Sequence, residues 1–437
     1  MSLVRHSQPR LVIIGTGWAG FYIAEYIHTK LYDVTIISPR RTSAYTPLLA
    51  SAACGLFNFY LAEEAVRSKA RSAIQYMKAN VISIDFDKKS CNCAPAFEED
   101  AELAKNKFTV EYDILIIAPG CVPNTFNTTG VAEHALFMKN VSDAMAVRKL
   151  LFDLLEKASL PHMPEGRIHD LLHIAIVGGG PTGIELMAEL DDLAKHELQD
   201  LYPRVADKIR ISIYDVAPNI LSNYDKKLYE YANGKLVHRN VNIATSVKVE
   251  KVDANAMYLR KKDSETPERI PYGMLIWATG NKNVALIDEL ASTVRTSEKG
   301  LKRILTDNYL RVFKGQDEIY DSVYALGDAA DIDGASLPTT AEVAVQKAKY
   351  LVGNLNNARE PAPGKPFEYR QKPLVSYIGQ HDGVIAGKEG REGWTGKSAW
   401  LAWRSGSVMW TRSWRNRWAI LITWTLNAVF GKELARM

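Results

Sequence analysis

The sequence predicts an α/β protein with two dinucleotide-binding domains, each built on a parallel sheet, and a C-terminal amphipathic helical element. Three observations predict it. A strand–glycine turn–helix–strand unit opens the chain, the same unit recurs in mid-sequence, and seven of the nine tryptophans fall after residue 390. Two copies of one supersecondary unit imply two domains of one kind. A chain of 437 residues is also too long for one ordinary core.

In the first copy, Arg10 to Gly15 is a continuous apolar run, as expected of a strand buried on both faces. A helix is predicted from Trp18 to Lys30 and a second strand from Val34 to Ser38. Between them, Gly15-Thr16-Gly17-Trp18-Ala19-Gly20 fits G-x-G-x-x-G. Gly15 permits the tight turn, Gly17 lets a pyrophosphate approach the backbone, and Gly20 lets the helix pack on the strand. The helix N-terminus adds its dipole and free N–H groups. The competing reading is a glycine-rich turn of another α/β fold. The recurrence weighs against it: a strand at Leu172–Val177, the turn Gly178-Gly179-Gly180-Pro181-Thr182-Gly183, a helix from Pro181, and a strand at Ile211–Asp215.

The second strand of that later copy ends on Asp215, a carboxylate suited to an unphosphorylated adenosine ribose; the alternative is a surface carboxylate. Asp215 lies 32 residues past Gly183, and residues 196–208 are expected to extend the helix and its return loop. The first copy ends instead on Ser38-Pro39-Arg40. There Ser38 suits a ribose hydroxyl and Arg40 suits adenine or phosphate, against a reading as a solvated Arg. Three further strands end in small residues, at 112–120, 273–280 and 322–328. The last closes on Gly327-Asp328, which in this order places a carboxylate back at the first domain.

These elements divide the chain into a discontinuous first domain (1–140 and 300–360), a second domain (141–299) and a tail (361–437). Residues 358–366, rich in Pro and Gly, read as a linker.

A 47% apolar, 24% charged composition indicates a folded protein, and a net charge of +4 with no zinc-finger or RNA-binding signature predicts no nucleic-acid partner. Cys54, Cys91, Cys93 and Cys121 form no C-x-x-C pair and read as thiols of a reducing compartment. No metal site is expected. Cys91 and Cys93 lack further ligands, Asp331-Ile332-Asp333-Gly334 lacks the rest of a calcium loop, and His134, His162 and His173 are isolated. The acidic run 98–102 reads as a solvated loop. No 18-residue apolar run is present, and the short segment before the first strand carries no recognisable presequence.

The motifs together resemble the two-dinucleotide flavoproteins of glutathione-reductase-like, Rossmann-type architecture. Over nearly its full length the sequence is similar to fungal-type type II (alternative, rotenone-insensitive) NADH:quinone oxidoreductases. Carrying the resemblance are Ser38-Pro39-Arg40, Tyr45-Thr46-Pro47-Leu48-Leu49, Gly120-Cys121-Val122-Pro123-Asn124-Thr125-Phe126, the run Gly178 to Glu189, and Leu201-Tyr202-Pro203. Trp277-Ala278-Thr279-Gly280-Asn281, Leu326-Gly327-Asp328, the run Pro338 to Gln346 and the Trp403 to Gly431 ending complete it.

The resemblance implies FAD in the first domain, held by Gly15, Gly17, Gly20, Ser38, Arg40, Thr46, Pro47, Gly120, Gly327, Asp328 and Ala341. It implies NADH in the second, held by Gly178, Gly180, Gly183, Asp215, Thr279 and Gly280, with hydride passing to the flavin and two electrons to a quinone. Glu185 is implied near the nicotinamide, and Glu342, Gln346 and Lys372 around the acceptor. Three positions depart from the family pattern: Glu342 replaces a Gln, Ser407 a Tyr, and Pro373 the Gly after Lys372. The departures fall on the acceptor side, so a preference for smaller quinones over long-tailed ubiquinone is expected. Cys54 stands alone where related disulfide reductases need a redox pair, so electrons are expected to leave the flavin directly.

The stretch from Arg391 to Met437 carries eight basic and two acidic residues. Trp403, Trp410, Trp414 and Trp418 step by seven, four and four, which predicts one helical stripe flanked by Arg404, Arg412, Arg415 and Arg417. Such a surface suits a membrane interface; packing on the protein's own core or on a dimer partner is the alternative. The resemblance implies a homodimer at a mitochondrial membrane, and a cytosolic protein remains the other placement. Two further functions stay open: a soluble flavin oxidoreductase acting on a quinone-like metabolite, and a redox-signalling flavoprotein like the apoptosis-inducing factors.

Overall fold

Alternating apolar residues that point to opposite faces of a strand need cover on both sides, and the chain supplies it. In the computed structural model, Leu11, Ile13, Val34, Ile36 and Ile116 belong to one buried cluster with the helices Trp18–Tyr26 and Ala341–Asn356. Val12, Ile14, Ile37, Leu115 and Ile117 belong to a second, with Leu286, Ile287 and Leu290. The period of two along each strand therefore splits one sheet's side chains between two core layers. The structure describes residues 8–70, 73–97, 99–222, 226–237, 239, 241–261, 264, 266–298, 300–315, 318–357, 364–387, 393–432 and 434.

The chain divides into two units. The first comprises residues up to Ser43, Glu64–Val122 and Asn281–Arg370. It holds a ten-stranded sheet, whose central strands Glu318–Ala325, Ile114–Ile117, Arg10–Ile14, Asp33–Ser38 and Ile74–Asp85 lie parallel in that spatial order. Arg10–Ile14 pairs with both the strand that follows it and Ile114–Ile117. The order reverses there, and a crevice opens at the carboxyl ends of such strands.

The second unit comprises Ala44–Glu63, Pro123–Gly280 and Gln371–Met437. Its four-stranded parallel sheet repeats the arrangement, with His173–Val177 between Arg210–Tyr214 and Met274–Trp277 and Asn242–Ala244 at the edge. An antiparallel sheet of Val247–Asp253, Ala256–Lys261 and Glu268–Pro271 and another of Val375–Gly379, Asp382–Ile385 and Trp394–Gly396 complete it. The boundaries fall at 122/123 and 280/281, not at 140/141 and 299/300. The expected separate tail groups with the second unit, as do residues 44–63.

Several local expectations are corrected. The first helix stops at Tyr26, not Lys30, because Ile27 turns extended and the Asn356 side chain takes the His28 N–H at 2.8 Å. Residues 196–208 do not extend the Pro181–Lys195 helix. They form a separate helix Glu197–Leu201 and a 3-10 turn Ala206–Lys208. The acidic run contains a short helix, Ala101–Ala104, because Asp100 caps it by accepting from the Leu103 N–H; Glu98 lies outside the described residues, as do 358–363 of the linker. The tryptophan stripe is cut in two. Thr411 is extended between the helices Lys397–Trp410 and Trp414–Phe430, its hydroxyl donates to Val408 O at 2.6 Å, and the Arg412 N–H goes to the Tyr45 hydroxyl at 2.8 Å.

Candidate functional site

Each unit carries its own glycine cradle, and the two have matching geometry. Gly15 (φ +98°) follows its strand so closely that a Cβ would lie 2.2 Å from Ala118 O; at Gly178 (φ +118°) a Cβ would lie 2.7 Å from Ala278 O. A Cβ on Gly20 would meet Gly15 O at 2.0 Å, and one on Gly183 would meet Gly178 O at 2.0 Å. Nothing stands within 4 Å of a Cβ on Gly17 or Gly180. Those are the positions where a pyrophosphate needs open backbone. Neither helix that follows has a side-chain cap at its N-terminus, so the positive end of its dipole is directed at the cradle. A dinucleotide fits both sites on these grounds.

In the first unit, the Thr16 and Ser38 hydroxyls are bonded at 2.8 Å, and Ser38 Oγ accepts from the Arg40 N–H at 3.3 Å. Ser38 is buried and Arg40 exposed, so Ser38 braces the loop from beneath while the guanidinium points outward. Gly327 (φ +77°) opens the 3-10 turn Gly327–Ala329 and presents Asp328. The Cys121 thiol, next to Gly120 (φ +75°), donates to Asp328 Oδ2 at 3.0 Å. Ala341 begins the Ala341–Asn356 helix, capped by Thr340 Oγ1 accepting from the Val343 N–H at 3.3 Å. One turn on, Gln346 donates to Glu342 Oε1 at 2.5 Å and to Arg370 O at 2.9 Å, and accepts from the Arg370 N–H at 3.0 Å. Its amide thus clamps the chain at Arg370, a role the sequence did not signal.

In the second unit, both Asp215 oxygens are oriented by backbone. Oδ2 accepts from the Gly179 N–H at 2.5 Å and Oδ1 from the Ala217 N–H at 2.7 Å. A Cβ on Gly179 would lie 3.1 Å from Oδ2, which explains the extra glycine between Gly178 and Gly180. The unusual spacing thus still delivers the carboxylate to the turn. Thr279 and Gly280 follow Met274–Trp277. Gly280 (φ +75°) leaves room for the Phe126 ring, which a Cβ would approach to 2.5 Å. Thr46 and Pro47 open the 3-10 turn Thr46–Leu48, which runs into the buried helix Leu49–Ala53. Lys372 is exposed, 5.9 Å from the Trp410 ring. Ser407 is buried, its hydroxyl donating to Trp403 O at 2.9 Å.

Glu185 sits just inside the second glycine turn. Trp403 Nε1 donates to its Oε1 at 3.1 Å and Ser376 Oγ at 3.3 Å. Burial pushes its carboxyl up to about 8, with neighbouring Glu189 adding to the effect. One turn further, buried Glu189 accepts from Ser51 Oγ at 2.7 Å, and burial raises its proton affinity too. Next along the helix, Asp192 bonds the Tyr377 hydroxyl and Arg239, which is itself held by Asp191 at 2.7 Å and by Ile378 O at 3.0 Å. Tyr377 stacks on Trp403 at 4.9 Å. Ser51, Glu189, Ser376, Tyr377 and Trp403 were not singled out from sequence as one site. The available signal was the i, i+4 spacing of Glu185 and Glu189 within an otherwise apolar helical run. Arg148 was likewise missed; it is buried and donates to Ala52 O at 2.6 Å and Ala53 O at 3.2 Å, pinning the Leu49–Ala53 helix.

His173, isolated in sequence, is buried with Nδ1 2.6 Å from Pro271 O and Nε2 2.9 Å from Ser212 Oγ, and burial depresses it to about 4. It is therefore a neutral structural imidazole. The four cysteines are buried and none is in a disulfide. Cys54 has no cysteine partner, and burial raises its thiol well above its ordinary range. Among the described residues no cluster of His, Cys, Asp and Glu suits a metal.

The chain matches the family model "Pyridine nucleotide-disulphide oxidoreductase" over residues 9–348. That defines an oxidoreductase built on two glycine cradles, here without the dithiol in the name. An "Internal alternative NAD(P)H-ubiquinone oxidoreductase A1, mitochondrial" of Arabidopsis thaliana is 32% identical over 98% of this chain and 86% of that protein. A "Probable NADH dehydrogenase" of Dictyostelium discoideum is 31% identical over 98% and 91%. The solved structure of Plasmodium falciparum NDH2 in complex with NADH superposes with a TM-score of 0.89 at 26% identity, covering 98% of this chain and all of that one. The chain belongs to the alternative, type II NAD(P)H–quinone oxidoreductase family. None of these three relatives is fungal, so the fungal-type expectation takes no support from them.

Proposed function

We propose that the protein is an FAD-dependent NADH:quinone oxidoreductase that takes hydride from NADH and passes two electrons to a quinone without a dithiol. The observation that carries this reading is the pair of matching glycine cradles, each with open backbone at Gly17 or Gly180, in a chain of this family. When bound, FAD supplies the hydride-accepting and electron-donating chemistry. The first cradle, with Ser38, Arg40, Gly120, Gly327, Asp328 and Ala341, holds FAD, with Thr46 and Pro47 assigned to it by family pattern. The second, with Asp215, Thr279 and Gly280, orients NADH. Glu185 contacts the nicotinamide end and tunes the flavin and quinone, Glu342, Gln346 and Lys372 lie around the acceptor, and Glu342 and Ser407 set the quinone preference. The test is extraction of the cofactor from purified protein, anaerobic bleaching of the flavin by NADH, and turnover with quinones of graded tail length. FMN, no flavin, or no quinone turnover overturns the reading.

NADH is the preferred donor because the Asp215 carboxylate, fixed at the turn, repels a 2′-phosphate and accepts from a 2′-hydroxyl. Stopped-flow bleaching is expected to favour NADH over NADPH by 10-fold or more, and Asp215→Ala to narrow that ratio. Equal native rates refute the assignment.

The tail is the docking surface for a lipid interface, at a mitochondrial membrane by kinship. On the Trp414–Phe430 helix, Trp414 (71% exposed), Trp418 (61%), Leu421, Ile422, Leu426, Val429 and Phe430 lie open, with Arg415 and Arg417 beside them. Aromatic and aliphatic groups rimmed by arginine suit a headgroup boundary. No helix of the described residues is long and apolar enough to cross a membrane. Trp414→Ser with Trp418→Ser is expected to cut co-sedimentation with anionic liposomes at least 10-fold while NADH bleaching of the flavin persists. If instead the pair converts a dimer to a monomer and leaves liposome binding intact, the face belongs to a second copy of the chain.

A further inference from the structure

The reaction proposed above consumes a proton as well as a hydride: NADH, one proton and a quinone give NAD⁺ and a quinol. The chain has a line of carboxyl groups suited to that proton. Glu185, Glu189 and Asp192 are spaced i, i+4 and i+7, so they share one face of the Pro181–Lys195 helix, with neighbouring Cβ atoms about 5–6 Å apart. The line starts inside the second glycine turn. It ends at Asp192, whose side chain keeps 14% of its accessible surface and accepts from the Gln380 N–H at 3.2 Å. Between these ends Glu189 is 4% exposed.

A buried carboxyl usually ends paired with a cation. Glu189 instead takes its hydrogen bond from a neutral hydroxyl, Ser51 Oγ at 2.7 Å. Titratable groups face it from every element packed around it. Cys54 follows the Leu49–Ala53 helix, Tyr377 lies on Val375–Gly379, Arg404 on Lys397–Trp410, and Lys432 on the terminal segment, with Glu185 and Asp192 on its own helix. Two cations are therefore near, but Arg404 packs over Trp424 at 4.0 Å and Lys432 pairs with Glu197 at 2.6 Å. The Ser51 and Ser376 hydroxyls, each on one carboxyl of the pair, can donate or accept as a proton passes.

We propose that Glu189 relays the solvent proton to Glu185 along this buried helix face. In one transfer the O–H bond on Glu189 breaks and an O–H bond forms on the Glu185 carboxylate. A proton entering from the Asp192 end then restores Glu189. No electron moves along the line, and Glu189 acts through Glu185 without touching either substrate. The inference rests on the quinone-reductase reading, and it adds the route by which that reaction obtains its proton.

The test uses full-length protein as purified with its flavin. Glu189→Gln keeps the shape and the hydrogen bond from Ser51 but cannot pass a proton on. The variant is expected to lower kcat with a short-tailed quinone at least 10-fold with little change in KM, and to abolish the alkaline limb of the pH–kcat profile. Glu189→Asp is expected to restore part of both. Anaerobic bleaching of the flavin by NADH, which takes no solvent proton through this line, is expected to proceed at the native rate in each variant. Infrared difference spectra of native protein between neutral and alkaline pH are expected to show protonated-carboxyl intensity from both glutamates, of which Glu189→Gln removes one part and leaves that of Glu185. Ser51→Ala provides a second disruption should Glu189→Gln fold poorly. Native protein that turns over quinone while Glu189→Gln matches it in kcat and pH profile overturns the relay alone. So does a Glu189→Gln spectrum with the same carboxyl intensity as native protein. Native protein that is never bleached by NADH, or never reduces a quinone, overturns the reading beneath it as well.

Discussion

Gly20→Ala is expected to yield protein without flavin, while Gly183→Ala is expected to yield yellow protein that NADH no longer bleaches. The reason is the same in both: the new Cβ falls 2.0 Å from a backbone carbonyl, Gly15 O or Gly178 O. A carbonyl in a tight turn cannot move aside as a side-chain tip can, and forced overpacking costs about 1–3 kcal/mol or more. That cost falls on the turn that receives the pyrophosphate, so it is drawn from binding. At about 1.4 kcal/mol per tenfold, each affinity is expected to fall by roughly 100-fold. Flavin content after gel filtration and anaerobic bleaching rates check the pair. A Gly20→Ala protein with full flavin, or a Gly183→Ala protein bleached at the native rate, refutes the assignment of that cradle.

Glu185→Gln is the second change with a large expected effect, and it acts on stability and turnover together. The Glu185 carboxyl is raised from 4.5 to about 8 by burial. Below pH 4.5 it is protonated in both the folded and the unfolded chain. Between about 4.5 and 8 only the unfolded chain releases the proton, so stability contributed by this group falls as pH rises, and above 8 the loss is complete. The Gln variant has no such slope. It is expected to match native protein near pH 4.5 and to exceed it increasingly up to pH 8. Part of the Glu185 side chain stays accessible, so the gain is about 2 kcal/mol after screening, less than the shift alone implies. Thermal melts across this range check the sign. Quinone turnover is expected to drop at least 10-fold in the same variant, because an amide cannot pass on a proton. A variant that is less stable at pH 8 than native, with full turnover, refutes both halves.

The cradles were legible in the sequence because their constraint is local. Gly20 and Gly183 answer to nearby carbonyls, Gly15 O and Gly178 O, and Gly15 and Gly178 to a local turn with positive φ, although the carbonyls that crowd them, Ala118 O and Ala278 O, come from distant segments; Asp215 follows from the end of a strand. The division of the chain was less legible. Residues 44–63 and 371–437 group with the second unit through partners far away in sequence, such as Asn416 Nδ2 donating to Glu63 O at 3.4 Å. The tryptophan spacing misled for a related reason. The period continued across Thr411, where the Tyr45 hydroxyl takes the Arg412 N–H and lets the backbone leave the helix. Trp403 was accordingly read with the membrane face, although its indole N–H is spent on Glu185, 218 residues away. Residues of the carboxyl line gave only their spacing, since Ser51, Ser376 and Trp403 come from three separate segments.

The last turns of the chain are sewn into the second unit. Leu434 is buried, and a Cβ on Gly55 would strike it at 2.2 Å; Asn427 Nδ2 donates to Leu56 O at 2.9 Å, and Lys432 pairs with Glu197. The segment that carries the exposed face is thus also a structural strap. Deleting it would uncover Gly55 and Leu56 and release Glu197, as well as remove the lipid-facing residues. Shortened forms of this protein would report loss of fold as loss of targeting, and a bulky fusion at the carboxyl end would pull on the same seam. Surface substitutions that leave Ile420, Asn427, Lys432 and Leu434 in place keep the two properties apart.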